Sequence, residues 1–228
     1  MPCFLQLNWL LLHDMDIDFL EVGKSIINFV MDILETVVFV GSLFIVVYLF
    51  VAQPNQVKGA SMDPTFGTGD YIFTSKVTYK LRSYHRGDII VFKSPHNPDI
   101  EYIKRIIGVP GDVVMVKDGE VFVNGRQLKE DYIAAKTNLW EGGFSKNGEG
   151  TKIEDGMLFV MGDNRPRSSD SREFGPITQE SVIGQVFYRY FPPNKAGGIP
   201  NPFPSDFQSL VKTTPHLSYG FPGNLSIQ

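Results

Sequence analysis

The sequence predicts a mostly β protein: an antiparallel sheet or barrel-like domain behind one N-terminal transmembrane helix. Three observations predict it. The run from Val37 to Val51 carries no charge and is apolar on every side. After Val57 the chain breaks into short β-type runs. The residues between those runs are the Gly, Pro, Asn and Asp of tight turns.

The apolar run comes first in the chain. A bilayer core asks for about 20 apolar residues, so the span is expected to begin before Asp32, with Ile26, Ile27, Phe29 and Val30 adding length. Asp32 and Glu35 are then placed near its upstream edge, where a helix N-terminus tolerates acid. A cleaved secretory signal fits less well, because Phe50 stands where a small residue is needed before Ala52 and no Arg or Lys cluster leads in. A buried core helix is disfavoured by Gln53, Pro54, Asn55 and Gln56, which end the run, and by the β texture beyond. Lys24 and Lys58 flank opposite ends, so charge bias assigns no orientation. Met15 and Met31 are alternative starts.

Strands are expected at 70–75, 88–93, 101–107, 113–117, 120–123, 157–161 and 182–190. Val109-Pro110-Gly111-Asp112 suits a type II turn, with proline fixing φ at its second position and glycine supplying positive φ at its third. Asp118-Gly119 closes a hairpin, and Asn124-Gly125 makes another tight turn. Residues 128–156 show no period and read as a long excursion. The expected division is a segment 1–25, the transmembrane anchor 26–52, a β-rich domain 53–191 and a Pro-, Gly- and Ser-rich tail 192–228 with loose order.

Composition removes several function classes. The 228 residues hold 21 basic and 25 acidic side chains, a formal charge of −4, so no basic field awaits nucleic acid. Cys3 is the only cysteine, which rules out an internal disulfide and a multi-cysteine metal site. His13, His85, His96 and His216 lack close metal-ligand spacing, so each reads as a loop or surface residue rather than a metal ligand.

Three strings carry the chemistry. Ser61, in Gly59-Ala60-Ser61-Met62-Asp63-Pro64-Thr65, read alone is a turn residue. Lys104, in Tyr102-Ile103-Lys104-Arg105-Ile106-Ile107-Gly108, read alone is a solvated strand residue. At a period of two, however, Lys104 shares a face with Tyr102 and Ile106, while Arg105 points the other way with Ile103 and Ile107. Apolar neighbours disfavour the charged amine, and a neutral lysine can take the proton of a serine hydroxyl. The third string, Gly162 to Arg172, directly follows an apolar strand, where a rigid scaffold presents polar groups. There Ser168 could hold the lysine amine, and Asp170 with Arg172 could brace the loop. The bland alternative is a solvated loop with a surface ion pair.

In this order and spacing the strings resemble those of the type I signal peptidases, the membrane-bound Ser–Lys endopeptidases of bacteria. The likeness runs from Gln53 to Pro192 and includes Gly69-Asp70 and the Val109-Pro110-Gly111-Asp112 turn. It implies Ser61 as nucleophile, Lys104 as general base, Ser168 as the hydroxyl orienting the lysine, and Asp163, Asp170 and Arg172 as structural support. It also implies a mostly β catalytic domain on the extracytoplasmic side of the cell membrane, a single-pass anchor in the lipid bilayer, no cofactor, and secreted preproteins with small-residue cleavage sites as substrates. In one respect the chain departs from the pattern. Some members use a serine hydroxyl two positions before the nucleophile in the oxyanion hole, and Gly59 stands there, so the Ser61 N–H is the expected donor and a second is unidentified.

Reach agrees with that substrate class. At about 3.3 to 3.6 Å per residue, Ser61 lies within roughly 35 Å of Val51 along the chain. Other readings are a membrane-tethered β module that binds emerging chains without cutting them, and a self-cleaving repressor, which needs a DNA-binding helical domain in place of the span. Ser209-Leu-Val-Lys212 matches a Ser-x-x-Lys motif, but its partner motifs Ser-Asp-Asn and Lys-Thr-Gly are absent.

Overall fold

The computed structural model describes residues 19–48, 52–203 and Phe207, and divides the chain at Leu49 into an N-terminal unit and a β unit. The possible starts before residue 19, most of the expected tail and the Ser209–Lys212 motif lie outside the described residues.

The described part of the N-terminal unit contains the helix Phe19–Val46. It is long and apolar enough to cross a membrane, and none of its apolar window is buried. Two hydroxyls in its apolar part are satisfied within the helix, Thr36 donating to the Asp32 carbonyl and Ser42 to the Val38 carbonyl, as polar groups must be where no water is present. The early start corrects one expectation. Asp32 and Glu35 sit inside the helix, and Glu21 is the acid in its first turn.

The described residues of the β unit form twelve strands: β1 (Ala52–Gln56), β2 (Tyr71–Ser75), β3 (Ile89–Lys93), β4 (Glu101–Gly108), β5 (Val113–Lys117), β6 (Glu120–Val123), β7 (Arg126–Gln127), β8 (Gly150–Lys152), β9 (Met157–Met161), β10 (Ile177–Thr178), β11 (Val182–Phe191) and β12 (Gly197–Gly198). They form a larger sheet in the order β1-β2-β11-β3-β4-β9-β10, with β12 paired to β11, and a smaller one in the order β7-β6-β5-β8. Every pairing is antiparallel. The expected runs all become strands, within a residue or two at their ends.

Turn chemistry accounts for the hairpins. Asp112 N–H donates to the Val109 carbonyl and Gly111 has φ +89°, which is a type II turn; Asp118 and Gly119, at +53° and +85°, close β5 onto β6. β1 was missed because Pro54 removes a ladder donor. It is tolerated there because β1 is an edge strand, paired to β2 alone. The short strands β7, β8, β10 and β12 were missed as well, having too few residues to show alternation.

Three apolar clusters make the core. Val57, Met62, Phe66, Ile72 and Val91 pack beneath the turn that carries Ser61; Ile90, Phe92, Ile106, Leu158 and Val160 lie between β3, β4 and β9; Ile107, Val114, Val123, Phe159 and Phe203 join the two sheets. Phe203 moves the expected tail boundary at Pro192. It is 6% exposed, Asn201 donates to the Arg86 carbonyl at 2.7 Å, and β12 pairs with β11, so ordered packing continues past residue 192.

Candidate active site

Ser61 opens a turn pinned from below by Met62 and Phe66, both fully buried. The Phe66 N–H donates to the Met62 carbonyl, and the Asn164 N–H donates to the Ser61 carbonyl at 3.0 Å. That second bond ties the first string to the third. It demands glycine at 162, because a Cβ there would lie 2.2 Å from Ser168 Oγ and 2.4 Å from the Ser61 carbonyl oxygen.

Lys104 reaches the turn from β4, which pairs with β3 through Ile90 and packs its Ile106 into the core. Its Nζ lies 2.9 Å from Ser61 Oγ and 3.0 Å from the Ile103 carbonyl oxygen, and 5.0 Å from the centre of the Tyr102 ring. The side chain is 3% exposed. Burial pushes its pKa down to about 8; the Asp170 carboxylate pulls it back up, the Arg172 guanidinium presses it down and Asp163 raises it a little. Desolvation dominates because each neighbouring carboxylate is already engaged by an arginine. The result is an amine that gives up its proton far more readily than a solvated lysine, in contact with a hydroxyl.

The supporting residues are gathered around this pair, in two layers. Asp163 is buried and receives two bonds from Arg105, at 2.8 and 2.6 Å, and one from the Thr65 hydroxyl. Asp170 and Arg172 form an ion pair with neither side chain exposed, while Asp170 also accepts the Gly162 N–H. Arg172 goes on to the carbonyls of Asn138 and Arg165 and lies over the Trp140 ring. Such pairs place the loop more than they stabilise the fold, since desolvation offsets most of the attraction.

Ser168 differs from expectation. Its side chain is buried, but its hydroxyl has no hydrogen-bond partner among the described residues, and the bond from Lys104 expected there goes to the Ile103 carbonyl. Sequence reading also missed Arg105, Arg165 and Glu130. Arg165 is fully buried, bonded to the Gly162 carbonyl and paired with Glu130, a residue of the irregular 128–156 excursion. An arginine within an apolar strand was a usable signal for Arg105, since such a charge needs a buried partner. Glu130 had none, being far away in the chain.

A groove of about 600 Å³ leads to the dyad, walled by Gln56, Val57 and Ser61 on one side and Glu101, Tyr102 and Ile103 on the other. Both walls offer strand edges. β1 is paired on one side only, and β4 pairs with β9 only from Arg105 onward, so Glu101 to Lys104 have a partner in β3 alone. The Ser61 N–H donates to no acceptor among the described residues; Gly59, at φ +92°, accepts from the Thr68 hydroxyl. Among the described residues no group of three or more His, Cys, Asp or Glu side chains converges to hold a metal ion.

A hydroxyl touching a lysine near neutrality at the end of an unpaired strand edge defines a class: β proteins with a serine–lysine dyad. Comparison with known proteins narrows it. Residues 30–191 match the family model described as signal peptidase, peptidase S26. A signal peptidase IB of Staphylococcus aureus (strain COL) is 33% identical over 71% of this chain and 91% of its own length. A probable signal peptidase I-2 of Synechocystis is 36% identical over 78% of this chain and 76% of its own. A crystal structure of a signal peptidase I from Enterococcus faecalis V583 aligns at 36% identity over 46% of this chain and 97% of that one, with a TM-score of 0.37. The chain belongs to the S26 signal peptidase family. Its N-terminal apolar helix fits a membrane-anchored member.

Proposed function

We propose that the protein removes N-terminal signal peptides from secreted preproteins by acyl transfer through Ser61 and Lys104. The observation that carries this reading is the 2.9 Å contact between Ser61 Oγ and a buried Lys104 amine whose pKa is about 8.

The substrate lies extended in the groove, adding a strand against the free edges of β4 and β1. Small residues next to the scissile bond suit a wall built from Val57, Ile72, Val91 and Ile103, which leaves shallow apolar space. Lys104 Nζ takes the Ser61 Oγ proton through its lone pair while donating to the Ile103 carbonyl. Oγ then bonds the carbonyl carbon, and the Ser61 N–H faces the developing oxyanion. As the C–N bond breaks, Nζ returns its proton to the leaving amine of the mature chain. Water, deprotonated by the same nitrogen, attacks the ester and frees the signal peptide, and Oγ regains its proton. The protonated amine has three donors; with Ser61 and Ile103 taking two, the partnerless Ser168 hydroxyl is the acceptor for the third. Asp163, Asp170 and Arg172 hold the loop and touch no reacting atom. No cofactor enters the scheme. The apolar helix Phe19–Val46 serves as a single-pass anchor, the β unit works on the extracytoplasmic side, and the substrate meets it as it leaves the bilayer.

The test is incubation of the full chain with a preprotein carrying an Ala-x-Ala site, with product masses measured. Cleavage after the second alanine, lost in Ser61→Ala and in Lys104→Arg, is expected; Arg keeps the charge but cannot serve as the base. Binding without cleavage would make the protein a tethered β module instead, and full activity in Lys104→Arg would remove the lysine from its role.

A further inference from the structure

Lys104 can act as a base only by becoming a cation. When the Ser61 O–H bond breaks and its proton joins the Nζ lone pair, a positive charge forms on a side chain that is 3% exposed. A buried ammonium needs compensation. Among the described residues no carboxylate pairs with Nζ directly, because Asp163 is held by Arg105 and Asp170 by Arg172, and the oxygens that Nζ touches belong to the Ser61 hydroxyl and the Ile103 carbonyl. Lys58, Asp99, Glu101 and Arg167 line the same groove, but all four are exposed and water screens them. The aromatic ring beside the amine remains. Tyr102, two residues back on β4 and so on the same face of the strand, sets its ring over Nζ at 5.0 Å. Phe92, its partner in register on β3, meets that ring edge to face at 6.1 Å and holds it there. The face of an aromatic ring is negative, a cation within about 6 Å is drawn to it, and the attraction grows where water is excluded.

We propose that Tyr102 is a positioning residue of the reaction, its aromatic face stabilising the ammonium that forms on Lys104 as the Ser61 proton arrives. The proposal rests on the peptidase reading. Because the ring favours the charged amine, it opposes the desolvation that strips the resting amine of its proton. Weakening the negative face therefore does two things at once: the amine loses its proton at lower pH, and once neutral it is a poorer base. These changes offset each other on the acid side of the pH profile and add nothing to each other on the plateau, where only the weaker base is felt. A side chain that merely packs would change the rate by one factor at every pH.

Fluorination tests this without changing the shape of the ring much, since each fluorine drains charge from its face. Tyr102→Phe is the reference, and mono-, di- and trifluorinated phenylalanine are placed at the same position by nonsense suppression in the full chain. Tyr102 is half-buried, so these rings fit, and circular dichroism checks that each variant is folded. The measured quantity is kcat against pH, from 6 to 10, on a preprotein with an Ala-x-Ala site. From Phe to the trifluorinated ring, kcat on the alkaline plateau should fall roughly three- to tenfold and the midpoint of the rise should move down by about one pH unit, in steps that follow fluorine number. Below pH 7 the rates should stay within about threefold of one another. Profiles that coincide, or that drop by the same factor at every pH, overturn the role of the ring face and leave the peptidase reading intact. A folded Tyr102→Phe without activity assigns the role to the hydroxyl and overturns it too. If the wild type cuts no preprotein, or Ser61→Ala cuts it equally, the peptidase reading falls and this role with it.

Discussion

Raising the pH from 7 to 9 should increase kcat/KM on a preprotein about tenfold and then stop mattering. The active form needs Lys104 without its proton. With a pKa of about 8, the neutral fraction is roughly one in eleven at pH 7, half at pH 8 and ten in eleven at pH 9. A lysine at the ordinary 10.5 would give roughly a hundredfold rise over the same interval and no plateau below about pH 10. The two cases separate between pH 8.5 and 9.5, where the buried amine allows about a 1.3-fold gain and the solvated one about tenfold. Initial rates on a histidine-free peptide substrate, with the full chain in detergent, give the profile. A curve still climbing tenfold per unit above pH 8.5, or flat from pH 6 to 9, would refute the claim that burial supplies the base.

The same burial costs stability. The folded pKa lies below the unfolded one, so the wild type carries its full penalty below about pH 8 and loses it as the pH rises from about 8 toward 10.5. Lys104→Met should therefore unfold at higher denaturant or temperature than wild type at pH 7, by about 3 kcal/mol at most, with the advantage shrinking near pH 10; a less stable variant at pH 7 would contradict this. Gly162→Ala should cut kcat by at least about a hundredfold while circular dichroism shows a folded chain, because its Cβ meets the Ser61 carbonyl oxygen at 2.4 Å. Asp163→Asn leaves Arg105 buried without its charge partner, and unfolding measurements should show a loss of about 3–5 kcal/mol.

Local patterns were legible wherever the physics is local. Strand alternation put Lys104 on the opposite face from Arg105, and the structure sends one to Ser61 and the other to Asp163. The glycines and proline of 109–112 and 118–119 announced their turns. Legibility failed where a partner lies far away or the element is too short. Glu130 sits in a stretch without period, yet it pairs with Arg165. Residues 197–203 look like tail but return to the β11 edge and the core.

Chain order alone settles which residue types can do chemistry here: a serine, a lysine among apolar neighbours and a loop rich in donors and acceptors, all downstream of an apolar helix. These follow from side-chain chemistry and from periods of two and 3.6, which neighbours in sequence set for themselves. Folding adds what depends on distance. It brings Nζ within 2.9 Å of Oγ, removes water from the amine so that its pKa falls, and routes its spare hydrogen bond to Ile103 instead of Ser168. Desolvation and long-range hydrogen bonding belong to the packed state, because each is a property of what surrounds a group and not of the group itself.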